Sequence, residues 1–225
     1  VKALSNVDFE IETGVIHALM GANGAGKSTL MKVLAGSNPG YTGDVLYNGN
    51  PVELRNPAAA KKLGIQIVYQ EVDMALIPTL TVAENVMFND LVMNMGHKQF
   101  VNYGKIRKDA KEALARLNVN IDVRRMCGTL TLAQKQMVLI ARAVQSACNF
   151  LILDEPTNGL DPAGIKELRD ILKNLAHKEN ICVIVSSHLM SEMELMCDRV
   201  GIIVNGKLTG VHTCLLYTSD AADEL

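Results

Sequence analysis

The sequence predicts an α/β fold with a largely parallel sheet that carries a helical insertion. Three features predict it: short apolar runs bounded by glycine or polar residues, helical patterns between those runs, and a helical stretch from Thr81 to about Arg125. Val7, Phe9 and Ile11 alternate with polar neighbours, as in a strand already under way where the chain opens at Val1. Because that opening lacks Met, an N-terminal piece is expected to be missing. The run from Val15 to Met20 is mostly apolar and lies between Gly14 and Gly21, the pattern of a strand buried on both faces. Ser28 to Ala35 follows as a helix with Leu30, Met31, Val33 and Leu34 apolar, stopped by Gly36. Val45-Leu46-Tyr47 enters an Asn48-Gly49 turn, and Ile65 to Tyr69 reads as a further strand.

In the helical stretch, Thr81 and Glu84 are spaced as a capping box, and Lys105 to Leu117 carries an apolar stripe at helical spacing. Asn149 to Leu153 and Ile181 to Val185 are two more buried strands, separated by a helix that Asp161 caps and Pro162 begins. Val200 to Val204 then reaches Asn205-Gly206 and closes a hairpin. Beyond it, residues 214–225 break the pattern and resemble translated read-through of a transposon-end sequencing adapter, so they are expected to be a non-native tail.

At 225 residues the chain fits one large domain, or one domain with a sizeable insertion. Hydrophobic residues at 48% and charged residues at 20% exclude disorder, collagen and coiled coil. Lys+Arg 22 against Asp+Glu 24 gives a net charge of -2, too little positive field to hold nucleic acid or an anionic membrane. Trp is absent and aromatics are 4%, which leaves no stacking platform for single strands, so nucleic acid is not an expected partner. The sequence contains no apolar run near bilayer length and no signal-peptide pattern, from which a soluble, cytosolic protein is expected. Its five cysteines form no C-x-x-C pair and sit largely in apolar stretches, which suits buried thiols in a reducing compartment better than a disulfide or zinc framework.

Chemistry concentrates at strand ends. Gly21-Ala22-Asn23-Gly24-Ala25-Gly26-Lys27-Ser28 satisfies G-x-x-x-x-G-K-[ST], with a buried strand before it and a helix after it. Triphosphate oxygens are densely negative: glycines let backbone N–H groups approach them, the helix offers its positive end, Lys27 adds a full charge and Ser28 can ligate Mg²⁺. Asp154 and Glu155 end the strand Leu151-Ile152-Leu153, at the edge where open α/β sheets bind ligands. Alternation along a strand lets Asp154 hold Mg²⁺ through water while Glu155 polarises the attacking water. Gln70 and His188 each follow a strand and could reach metal, water or the γ-phosphate, although alone each reads as an ordinary surface residue. Thr131-Leu132-Ala133-Gln134 opens a helix as a capping box whose N-terminus could also grip a phosphate from another subunit.

In combination these motifs resemble the nucleotide-binding ATPase domain of an ABC transporter, over about Val1 to Thr213. The resemblance implies a P-loop NTPase fold with a mostly parallel core sheet, an N-terminal antiparallel β part and an inserted helical subdomain at about 79–147. It assigns Gly21, Asn23, Gly24, Gly26, Lys27, Ser28 and Thr29 to ATP as the Walker A loop, and Gln70 to the Q-loop. Leu151 to Glu155 become Walker B, Gly159-Leu160-Asp161 the D-loop and His188 the switch histidine. Thr131, Ala133 and Gln134 belong to the signature, which in this family caps ATP bound to a second, head-to-tail copy. Glu155, His188 and Gln70 are then catalytic, and Ser28, Gln70 and Asp154 hold Mg²⁺. The implied partners are transmembrane permease subunits, a second nucleotide-binding domain and a solute-binding protein, with the chain at the cytoplasmic face of the membrane.

The family's usual Leu-Ser-Gly-Gly-Gln signature is here Leu130-Thr131-Leu132-Ala133-Gln134. That form is similar to monosaccharide importers of the ribose and xylose type, as are Gly24 to Lys32 and Ile67 to Glu71, so ATP-driven sugar transport is the expected function. Gly159 to Gly164 and Ser186-Ser187-His188-Leu189 look more like ATPases of bacitracin or lantibiotic exporters, which leaves open a peptide exporter or a chimera joined near Walker B. A soluble, non-transport ABC ATPase and a truncated chain without function stay open as well. The family also places an adenine-stacking aromatic upstream of this start, so weaker base recognition is expected of the chain as given.

Overall fold

The computed structural model of the chain describes residues 3–94 and 101–214, so Val1 and all but the first residue of the expected tail lie outside the described residues. Strands β1 (Ile16–Met20), β2 (Val45–Tyr47), β3 (Asn50–Val52), β4 (Ile65–Val68), β5 (Phe150–Leu153), β6 (Cys182–Ser187), β7 (Arg199–Val204) and β8 (Lys207–Thr213) alternate with helices. These are α1 (Lys27–Leu34), α2 (Pro57–Lys62), α3 (Val72–Ala75), α4 (Val82–Val86), α5 (Phe88–Asn94), α6 (Tyr103–Arg116), α7 (Leu132–Gln145), α8 (Pro162–His177) and α9 (Met190–Met196). The main sheet runs β4-β5-β6-β1-β7-β8. Its first five strands are parallel, and β8 returns antiparallel to β7 through Asn205-Gly206, both at positive φ. A second Asn-Gly turn joins β2 to β3 in a separate antiparallel pair, the antiparallel part expected near the N-terminus.

Every residue of β1, β5 and β6 is buried, as a parallel sheet covered on both faces requires. Period-two alternation divides the core. Leu19, Ile152 and Ile184 face Met31 of α1 in one cluster, while Leu151, Leu153, Val183 and Val185 face α7 and α8 in the other. The carboxyl ends of β5, β6 and β1 therefore lie side by side beneath the start of α1.

One expected strand does not form. Val7, Phe9 and Ile11 are half-buried and alternate with exposed Asp8, Glu10 and Glu12, yet this segment joins no ladder. Phe9 and Ile11 instead pack against the α1-side core, which satisfies the alternation without backbone pairing.

Among the described residues between β4 and β5, helices α3 to α7 are organised around a buried polar knot. Asn85 is fully buried; its amide donates to the carbonyls of Ile77 (2.9 Å) and Thr81 (3.1 Å), and its Oδ1 accepts from the Ile77 N–H (3.0 Å). Arg142 of α7 donates to Asn85 Oδ1 (2.8 Å), the Asn85 carbonyl (2.6 Å) and the Ala75 carbonyl (2.7 Å), and lies 5.5 Å from the Phe88 ring centroid. Burial lowers the guanidinium's pKa, and the carbonyl dipoles and the ring offset that desolvation. Lys135, two turns earlier on α7, pairs with Asp73 of α3 at 2.6 Å.

Burial also pushes the thiols of Cys148 and Cys182 up to about 12. His17 of β1 is fully buried, edge-on to Phe9, and its Nε2 accepts the Glu12 N–H at 3.0 Å. Desolvation, aided by the Arg199 cation, lowers its pKa below 6.5, against the opposing pull of Glu12 and Asp198. A base whose folded pKa is depressed binds its proton more readily when unfolded, so its contribution to stability is complete above pH 6.5 and is lost as pH falls toward the folded value. The melting temperature should drop by a few degrees from pH 7.5 to 5.5, and a His17→Phe chain should lose less over the same interval; equal falls in both proteins would exclude His17 as the source.

Candidate functional site

The loop after β1 is shaped largely by the chain's own backbone. Gly26 caps α1 at φ 113, where a Cβ would stand 2.7 Å from Leu4 Cδ2 and 2.9 Å from the Ala3 carbonyl. A Cβ on Gly21 would lie 2.4 Å from the carbonyl oxygen of Ile203 in β7. Of the three glycines expected to serve phosphate approach, only Gly24 faces open space; the other two let neighbouring backbone close around the loop. Asn23 is exposed in the turn, and Thr29 is half-buried in the first turn of α1. The first N–H groups of that helix have no intrahelical acceptor and point into the loop.

Lys27 is 5% exposed. Its Nζ donates to the carbonyls of Gly21 (2.7 Å) and Ala22 (3.3 Å) and lies 3.4 Å from Glu155 Oε1. Ser28, one residue on, donates its hydroxyl to Asp154 Oδ1 at 3.2 Å. The other Glu155 oxygen, Oε2, accepts from His188 Nδ1 at 2.7 Å, which turns the histidine's Nε2 away from the acid. Glu155 sits at φ 49. Among the described residues every other non-glycine position with positive φ is Asn, so this glutamate carries backbone strain of about 1–3 kcal/mol that its surroundings must hold.

The structure thus brings Lys27, Ser28, Asp154, Glu155 and His188 into one connected group. Gln70 is exposed two residues beyond β4 on the same sheet edge, and its side chain takes no part in that group. Thr131 and Gln134 form the expected capping box, each backbone N–H meeting the other's side chain at 3.3 Å. They too stand apart from the group. Ala133 has a packing role: its Cβ lies 2.9 Å from where a Gly164 Cβ would be, so the start of α7 fits against the start of α8.

Sequence reasoning missed Ser186 of β6, whose hydroxyl donates to Asp154 Oδ1 (2.7 Å) and accepts the Glu155 N–H (2.9 Å). A hydroxyl residue ending an apolar strand was the available signal.

A sheet edge built this way is the phosphate-gripping edge of P-loop nucleotide-binding proteins. The chain belongs to the ABC transporter family, whose model matches residues 4–158. A model described as "AAA domain, putative AbiEii toxin, Type IV TA system" matches residues 128–194. The chain is 39% identical over 207 residues to the ribose import ATP-binding protein RbsA of Geobacillus kaustophilus, covering 92% of this chain and 41% of that protein. It is 41% identical over 220 residues to ribose import ATP-binding protein RbsA 2 of Rhizobium meliloti, covering 98% of this chain and 42% of that protein. The chain therefore spans about two fifths of the length of these curated relatives. Among solved structures it is similar to cbiO1 of Clostridium perfringens, part of the ABC transporter complex cbiONQ, with TM-score 0.80, 29% identity and coverage of 94% of this chain and 82% of that one. It is also similar to the dimeric bacterial ABC transporter cassette MJ0796, with TM-score 0.77, 25% identity and coverage of 94% and 90%.

Proposed function

We propose that the chain, at about 1–213, is the ATP-hydrolysing domain of a transporter that moves a small solute across the membrane, a monosaccharide being the solute its ribose import relatives favour. The observation that carries the reading is the convergence of Lys27, Ser28, Asp154 and Glu155 at one sheet edge. Phosphate oxygens would compete with Glu155 for the Lys27 ammonium and free Glu155 Oε1. Water then attacks the γ-phosphorus and passes a proton to Glu155, while the bridging oxygen leaves on ADP. His188 holds the glutamate in place, and Gln70 links the site to the permease partner.

Ser28 and Asp154 suit Mg²⁺, because a hydroxyl and a carboxylate, both hard oxygen donors, meet there at 3.2 Å. They are the residues that would hold it, with Gln70 as a further oxygen donor. Bound Mg²⁺ would neutralise charge on the phosphates. The signature residues Thr131, Ala133 and Gln134 would meet ATP on a second copy, and the helices at about 79–147 would form the arm that presents them. Such a chain would sit at the cytoplasmic face of the membrane, beside permease subunits and downstream of a solute-binding protein.

The second reading, an exporter ATPase or a chimera joined near Walker B, rests on Gly159 to Gly164 and Ser186 to Leu189. The ATPase reading is tested by titrating the 225-residue chain with a fluorescent ATP analogue and Mg²⁺. Saturable binding below about 1 mM is expected, and a flat titration would remove the proposal's basis.

A further inference from the structure

We propose that Ser186 is the positioning residue that sets both acids of the site, an inference that rests on the ATPase reading above. Strand β6 lies between β1 and β5, with Leu19 opposite Ser186 and Leu153 opposite Val185. Alternation puts Cys182, Ile184 and Ser186 on one face of β6, and Phe150, Ile152 and Asp154 on the same face of β5. The first two residues of each stripe are core residues on the α1 side; the last of each is polar. Asp154 and Ser186 thus crown two adjacent apolar stripes, directly under Ser28.

Ser186 is fully buried, and a hydroxyl buried there must find partners. It finds two, and their chemistry fixes its proton. The Glu155 N–H can only donate, so Oγ accepts from it at 2.9 Å; Oγ then turns its single hydrogen to Asp154 Oδ1 at 2.7 Å. The second bond fixes the aspartate oxygen that also accepts from Ser28. The first pins the Glu155 amide while that residue holds φ 49, the conformation that aims its carboxylate at Lys27 and His188. One side chain on an intervening strand therefore orients the metal-side acid and the water-side acid together. A serine kept only for space would need neither bond.

The test compares the affinity of the whole chain for a fluorescent ATP analogue in EDTA and in saturating Mg²⁺, for the unaltered protein, Ser186→Ala and Ser186→Thr. Ser186→Ala should bind within about twofold of the unaltered chain in EDTA, yet lose about tenfold of the Mg²⁺-dependent gain, the scale on which residues supporting metal ligands act. Ser186→Thr should restore that gain, and in an Asp154→Ala background Ser186→Ala should change it no further. An equal Mg²⁺ gain with and without the hydroxyl overturns the role of Ser186 alone, as does an equal loss in both buffers. Independent effects of the two substitutions overturn it as well. Failure of the unaltered chain to bind in either buffer instead overturns the ATPase reading, and this inference with it.

Discussion

Glu155→Gln should leave ATP binding within about twofold and lower hydrolysis by roughly 10²- to 10⁴-fold, the range general-base catalysis supplies. The substitution keeps the side chain's length and an oxygen that can still accept from His188 Nδ1, now 2.7 Å away, but removes the charge that would take a proton from water. It also removes the anion 3.4 Å from Lys27, so phosphate no longer competes with a carboxylate for that ammonium and binding should not weaken. Phosphate release in single-turnover mixing, alongside equilibrium binding, separates the two effects. Unchanged turnover would show that another group accepts the proton.

Lys27→Ala should act at the earlier step, weakening ATP binding by roughly 10- to 100-fold, because a charge-assisted hydrogen bond to phosphate contributes about 1.5–3 kcal/mol. Here the change has a second consequence. Glu155 would lose its cationic neighbour while 11% exposed, so part of the loss should come from a repositioned acid, and hydrolysis at saturating ATP should fall as well. Isothermal titration with Mg²⁺-ATP checks the affinity; wild-type affinity would mean that loop amides alone hold the phosphates.

The parts of this site that are contiguous in the chain are legible in the sequence. Gly21 to Ser28 and Leu151 to Glu155 each announce a strand, its end and the chemistry placed there, because local spacing fixes all three. Likewise, Thr81 and Thr131 cap their helices through residues three positions on. What is not legible depends on strand order. Ser186 matters because β6 falls between β1 and β5, and the spacing from Asp154 to Ser186 says nothing of that. Arg142 reaching Asn85 across 57 positions is similarly non-local. The segment holding Val7, Phe9 and Ile11 shows a different limit: alternation reports which side chains face the core, and an extended segment can obey it without pairing. The motif assigns Gly21 to the ligand, whereas the carbonyl of Ile203 on a strand late in the sequence forbids a side chain there.

Lys135 and Arg142 stand seven residues apart on α7, and both take hold of α3, the short helix just past Gln70. Lys135–Asp73 is partly solvated and contributes little, whereas the bonds from Arg142 to the Ala75 and Asn85 carbonyls are part-buried. α3 and α7 are therefore geared together. The stretch just past Gln70 is thereby fixed against the same helix that Thr131 caps.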